Sequence, residues 1–125
     1  WSIVTGPDPG GEPQAALEWL EREQVSLFWS MTSTMRSVFG AAPDGKIFPK
    51  VRMVRLGGEP TTAEDFELFR AHTSPDCALN LNYASSEGGM VCEYTVYHDT
   101  PPAAGFLPGG YVLPNIRILI LDDEE

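Results

Sequence analysis

The chain has 125 residues, 42% of them hydrophobic, which fits one compact domain with its own core and argues against a disordered tail. Its 18 acidic and 8 basic side chains give a net charge of -10. That balance argues against nucleic acid and anionic membrane surfaces as partners, because both call for basic patches, and it reads as solubility.

Cys77 and Cys92 are the two cysteines, with no CxxC, so a disulfide scaffold is not expected and the protein reads as reduced and cytoplasmic. No apolar run approaches the length of a membrane span. The chain starts at Trp1 without Met and stops just after a strand-like run, so both ends read as cut from something longer.

In chain order, WSIVT is short and apolar and predicts a strand, and GPDPGGEP is a Pro/Gly loop. Pro13 suits the first turn of a helix running to about Gln24, with Ala16, Leu17 and Leu20 on one face. VSLFWS is β-branched and aromatic, hence a strand. A short helix follows, capped by Thr32 or Ser33, with Met35, Val38 and Phe39 facing inward. After the loop AAPDGKIFPK, the strand VRMVRL ends in Gly57-Gly58.

Thr61-Thr62-Ala63-Glu64 reads as a capping box opening a helix whose buried face carries Phe66 and Phe69. His72 lies near its end, where a cation is favourable. CALNLNY is the next strand, VCEYTVY alternates and reads as another, PPAAGFLPGG is a loop, and NIRILILD closes the chain as a strand.

Strands alternating with helices predict an α/β fold: a three-layer, mostly parallel sheet with helices on both faces. Such sheets bind ligands at the carboxyl ends of their strands. Three segments fall there: Trp29, LGGE from Leu56 to Glu59, and NYASSEGG over residues 82–89. A tight turn uses the glycines of that last stretch, but not its Tyr, two Ser and Glu. Taken alone, these residues leave the choice open. Tyr83 suits an amphipathic sheet edge, Ser85 and Ser86 suit local caps, and Glu87 suits a solvated surface. Gly57 and Gly58 suit a strand end. His72 and His98 stand apart from any Cys/His cluster, and no Ser-His-Asp or Cys-His arrangement is visible.

Together, the strand VSLFW, the strand ending GGE, the helix, Y-A-S-S-E, L-P-G-G and a strand ending Leu-Asp form an ordered set. In that order and spacing, across nearly the whole chain, it resembles the adenylate-forming ligases, most of all the adenylation domains of nonribosomal peptide synthetases. Their pattern reads G-G-E, then N-x-Y-G-P-T-E, then V-P-x-G-x-P before V-L-D. The resemblance implies a flavodoxin-like subdomain in which Tyr83 stacks on adenine, Ser86 hydrogen-bonds the acyl-adenylate phosphate and Glu87 helps hold Mg2+. It implies that Asn82 touches both adenine and the acid pocket, and that the backbone of Gly57, Gly58 and Glu59 passes beside adenine. The residue types suit these roles: a flat ring for stacking, a hydroxyl donor for phosphate, a hard oxygen for Mg2+, and glycines for close approach. Matched strand to strand, the acid pocket is Trp29, Val54, Leu56, Asn82, Met90 and Val91. A set apolar apart from Asn82 suits an uncharged side chain, of small or medium size beneath Trp29.

The sequence departs from the pattern at Ala84 and Ser85, where Gly and Pro are usual, at Leu81, where Asn is usual, and at Val112, where Pro is usual. The family's Gly-rich phosphate loop, its amino-group-anchoring Asp, its ribose-binding Asp and its catalytic Lys have no counterpart here. The expectation is therefore one subdomain, residues 1–125, of a larger adenylation domain. In context, it would contribute to joining a carboxylate to AMP from ATP with release of pyrophosphate, and then to transfer to a carrier-protein thiol. Its partners would be the rest of that domain, a small carboxylic or amino acid, and the carrier protein. Alone it would be inactive. Two other readings stand beside this one: a free-standing nucleotide- or small-acid-binding α/β module without catalysis, and a rigid subunit interface.

Overall fold

The computed structural model describes residues 11–101 and 104–122. The expected strand WSIVT and most of the loop after it lie outside the described residues. The first described helix, α1, spans Pro13–Arg22 with the proline in its first turn, and Leu17 and Leu20 are buried. Gln24 takes a positive φ of 51°, which turns the chain out of the helix and into β1, Leu27–Ser30.

Helix α2 (Thr32–Gly40) follows at once. Its N-cap is Met31, with no side-chain cap of its own, in place of the expected Thr32 or Ser33. The reason is tertiary. The Glu59 carboxylate accepts the Ser33 amide at 2.7 Å and the Ser33 hydroxyl at 3.0 Å. Thr32 is buried, with its hydroxyl 3.0 Å from that of Thr61. Strand β2 (Met53–Gly57) precedes α3 (Ala63–His72). The capping box opening α3 is Thr62 with Asp65, one residue later than the expected Thr61–Glu64 pairing, because Thr61 is turned inward to Thr32.

Strand β3 (Ala78–Ser85) runs past the expected Tyr83 and turns directly into β4, Gly89–Val96. A two-residue β5, Tyr111–Val112, completes the sheet. The closing strand expected at NIRILILD is not formed. No described strand pairs with residues 115–122, and Ile118, Leu119, Ile120 and Leu121 are exposed. An apolar run without a ladder partner leaves its backbone groups to water, whatever its β propensity.

The sheet has the order β1-β2-β3-β4-β5, with the first three strands parallel and the last two antiparallel. The fold is thus α/β on a mostly parallel, mixed sheet. Both crossovers, through α2 and α3, step the same way across it. Right-handed connections then carry both helices to the same face. Val54, Leu56, Leu79, Leu81 and Val96 present that face to Leu17, Leu20, Met35, Val38, Phe39, Phe66 and Phe69. Each fully buried Phe there contributes about 1.5–3 kcal/mol of burial. A helical layer on the opposite face, expected from sequence, is not among the described residues.

Cys77 and Cys92 are buried free thiols. No helix among the described residues is long and apolar enough to cross a membrane.

Candidate functional site: the strand-end rim

The carboxyl ends of the parallel strands meet at one rim. Ser30, Leu56 and Leu81 are in register across β1, β2 and β3. The chain then leaves through Met31, through Gly57-Gly58, and through the outer half of β3. Gly58 takes φ 82°, a left-handed conformation that favours glycine, and turns the strand end towards Glu59. Gly57 is small for a different reason. A Cβ there would lie 2.5 Å from Asn82 Oδ1. The Asn82 side chain lies across Gly57 and donates from Nδ2 to the Leu56 carbonyl at 2.9 Å. The two glycines of GGE therefore serve a turn and a close contact, and its Glu caps α2.

Beside these residues lies an open cleft of about 290 Å³. Gly58, Glu59, Asn82 and Tyr83 line it, and Leu107–Gly109 reach it from the loop after β4. That loop is tied back by Leu107 N–H donating to Thr61 O and Ala63 N–H donating to Gly105 O, each at 2.8 Å. Four residues singled out from two separate sequence motifs thus share one cavity. Tyr83 is 59% exposed, so a ring face is open to a flat partner. Ser33 holds the Glu59 carboxyl below its ordinary value, through its amide first and its hydroxyl second.

Ser86 and Glu87 stand apart from the cleft, in the exposed β3–β4 turn. Ser85 Oγ accepts the Gly88 amide at 2.9 Å and closes that turn, while Glu87 projects from its tip. Among the described residues, no group of three His, Cys, Asp or Glu side chains is gathered to hold a metal.

The six residues expected to form the acid pocket do not share a face. Strand partners point to the same side of a sheet and neighbours alternate. Val54 pairs with Phe28 and Leu79, and all of these point into the helix-covered core, where Val54 is fully buried. Leu56 points the same way and is also buried, though it lines the cleft. Trp29 pairs instead with Arg55 on the opposite, open face. Met90 joins them: the Arg55 guanidinium lies 5.5 Å from the Trp29 ring centroid, and one of its Nη atoms is 2.9 Å from Met90 Sδ. Asn82 pairs with Gly57 on this same face and also lines the cleft, so it stands between the two. Val91 is the extra residue of a bulge, since Tyr83 pairs with Cys92 but Ala84 with Met90. Sequence reasoning missed Arg55. The signal was present in VRMVRL, where Val54 and Leu56 alternate with Arg55 and so claim the core side for themselves.

The arrangement offers an open aromatic ring, close backbone at two glycines, a cleft, and an adjoining sheet face with one cation between apolar side chains. The profile of AMP-binding enzymes matches residues 2–125. No curated protein matches the chain. Among solved structures, IdnL1 has a TM-score of 0.71 at 20% identity, over 90% of this chain and 23% of that one. FmoA3, a nonribosomal peptide synthetase, gives 0.69 at 17% identity, over 83% of this chain and 11% of that one. The Vibrio cholerae adenylation domain AlmE, solved with glycyl-adenosine-5'-phosphate, gives 0.62 at 15% identity, over 77% of this chain and 18% of that one. The chain thus spans less than a quarter of the length of each of these structures.

Proposed function

The chain belongs to the AMP-binding enzyme family, and on that premise we propose that it is the subdomain of an amino-acid-activating adenylation domain that carries the acid pocket and part of the AMP and Mg2+ site. The observation that carries this reading is the cleft, because it gathers Gly58, Glu59, Asn82 and Tyr83 from two strand ends into one cavity. AlmE's aminoacyl adenylate is the kind of ligand such a cleft would share with the adjoining face.

In the intact enzyme, an acid carboxylate oxygen attacks the α-phosphorus of ATP, pyrophosphate leaves, and an acyl adenylate forms. A carrier-protein thiol then attacks the acyl carbon and AMP leaves. The residues of this chain bind and orient. Tyr83 gives adenine a stacking face, and the strand end at Gly57-Gly58 lets the nucleotide approach the backbone. Asn82 is pinned by the Leu56 carbonyl and separates the nucleotide side from the acid side. Ser86 donates a hydrogen bond to a phosphate oxygen. Glu87, a carboxylate on an exposed turn, is the residue of this chain that would hold Mg2+ in the intact enzyme. The ion's contribution when bound is to neutralise charge on the phosphates. Holding the acid and the phosphate in line supplies the positional part of catalysis.

The test is ATP–pyrophosphate exchange by a chimera in which residues 1–125 replace the matching segment of a working adenylation domain, assayed over a panel of amino acids. Exchange that survives with a shifted preference supports the reading. Exchange that keeps the host's preference overturns the pocket assignment.

A further inference from the structure

Arg55 stands out on the open sheet face. Its guanidinium lies against an exposed indole and a thioether, with the Cζ atom 5.5 Å from the Trp29 centroid and one Nη 2.9 Å from Met90 Sδ. Its Nε is buried and has no hydrogen-bond partner. Four ion pairs form among the described residues, those of Arg22, Arg36, Lys46 and Arg70, and Arg55 takes part in none of them. The chain is strongly negative, yet none of the described acids forms an ion pair with this cation. Glu93 lies on the same face, but the Asn80 side chain is what reaches its carboxylate, at 3.5 Å.

A sulfur atom is a weak acceptor, and a ring face satisfies no N–H. The guanidinium has no carboxylate partner among the described residues, and its planar fork matches a carboxylate. Trp29 is 69% exposed, so the approach to that fork is open from the side that Trp29 and Met90 flank.

We infer that Arg55 selects the substrate: the acid activated by the intact enzyme carries a second carboxylate on its side chain, which Arg55 binds between Trp29 and Met90. This rests on the proposal that the open face is the acid pocket. It departs from the expectation of an uncharged side chain, because Trp29 and Met90, two residues of the expected pocket, both lie against Arg55 on the open face. One carboxylate of such an acid would be directed to the phosphate and the other to the guanidinium, so Arg55 also orients the reacting group.

The experiment uses the chimera carrying residues 1–125, with exchange measured for aspartate, glutamate, asparagine, glutamine, leucine and lysine. The expected result is a kcat/KM for aspartate or glutamate about a hundredfold above that of its own amide, falling by a similar factor in Arg55→Leu. Arg55→Glu should turn the preference towards lysine. A shifted preference for a neutral acid, unchanged in Arg55→Leu, overturns this inference and leaves the pocket assignment standing. Retention of the host's preference overturns both. Should the full graft be insoluble, Trp, Arg and Met are placed at the host positions matching residues 29, 55 and 90. Gained activation of aspartate or glutamate then supports the inference, and no gain overturns it.

Discussion

Gly57→Ala tests how the rim is held together. The added Cβ would lie 2.5 Å from Asn82 Oδ1 and 3.0 Å from its Cγ, inside the 3.4 Å at which ordinary contact begins. All three of its nearest atoms belong to the Asn82 side chain, which must swing away and release the Leu56 carbonyl it now bonds at 2.9 Å. Losing that bond and leaving a half-buried carbonyl unpaired costs about 1–3 kcal/mol. The smaller backbone entropy of Ala in the unfolded chain returns about 0.4–1 kcal/mol. The net expectation is a destabilisation of about 1–2 kcal/mol, read as a lower urea midpoint at unchanged slope. Asn82→Ala alone loses the same bond and costs about the same. The informative species is the double variant. With the Asn82 side chain gone, the methyl at residue 57 has room and only the entropic return remains, so the double variant should be about 0.4–1 kcal/mol more stable than Asn82→Ala. Fully additive costs, near 3 kcal/mol, would refute the account, because the methyl would then be clashing with something other than Asn82.

Glu59→Gln should weaken the start of α2 and flatten the acid limb of the stability curve. The Ser33 amide and hydroxyl hold the Glu59 carboxyl below its ordinary value of 4.5, so its contribution is present above that pH and is lost as pH falls through the lowered value; an acid limb identical in the two proteins would remove Glu59 from the cap. Tyr83→Ala in the chimera should raise the KM for ATP about tenfold or more, as expected for loss of a base–aromatic stack of about 1–3 kcal/mol. An unchanged KM would leave Tyr83 an ordinary exposed tyrosine. Glu87→Gln should sharply lower pyrophosphate exchange while leaving the melting temperature within about 1 °C, since Glu87 sits at an exposed turn and supports nothing in the core. Exchange at the parent rate would end its metal role.

Much of this protein could be read directly from its residues. The alternation of VRMVRL and CALNLNY with amphipathic helical runs determined the α/β class. Pro13 marked the start of α1, and the Pro/Gly stretches marked the loops. The strand ends at GGE and NYASSE were placed at one rim by the strand-and-helix order, and their roles were given only by the family resemblance, since the residues alone left the choice open; of them, Gly58, Glu59, Asn82 and Tyr83 share the cleft. Tertiary structure decided what lies on the far side of a contact. Residue 59 caps the helix at residue 33, and no local rule for N-caps can see an acceptor supplied from another strand end. NIRILILD has the composition of a strand, but a strand exists only with a partner to complete its hydrogen bonds. The face that each residue of β2 presents turned on a period of two: Val54 and Leu56 point into the core, with Leu56 also lining the cleft, and Arg55 points to the opposite face. That alternation is legible in VRMVRL, but which residues of β1 and β3 stand beside Arg55 is set by the strand register, which side-chain type alone does not give.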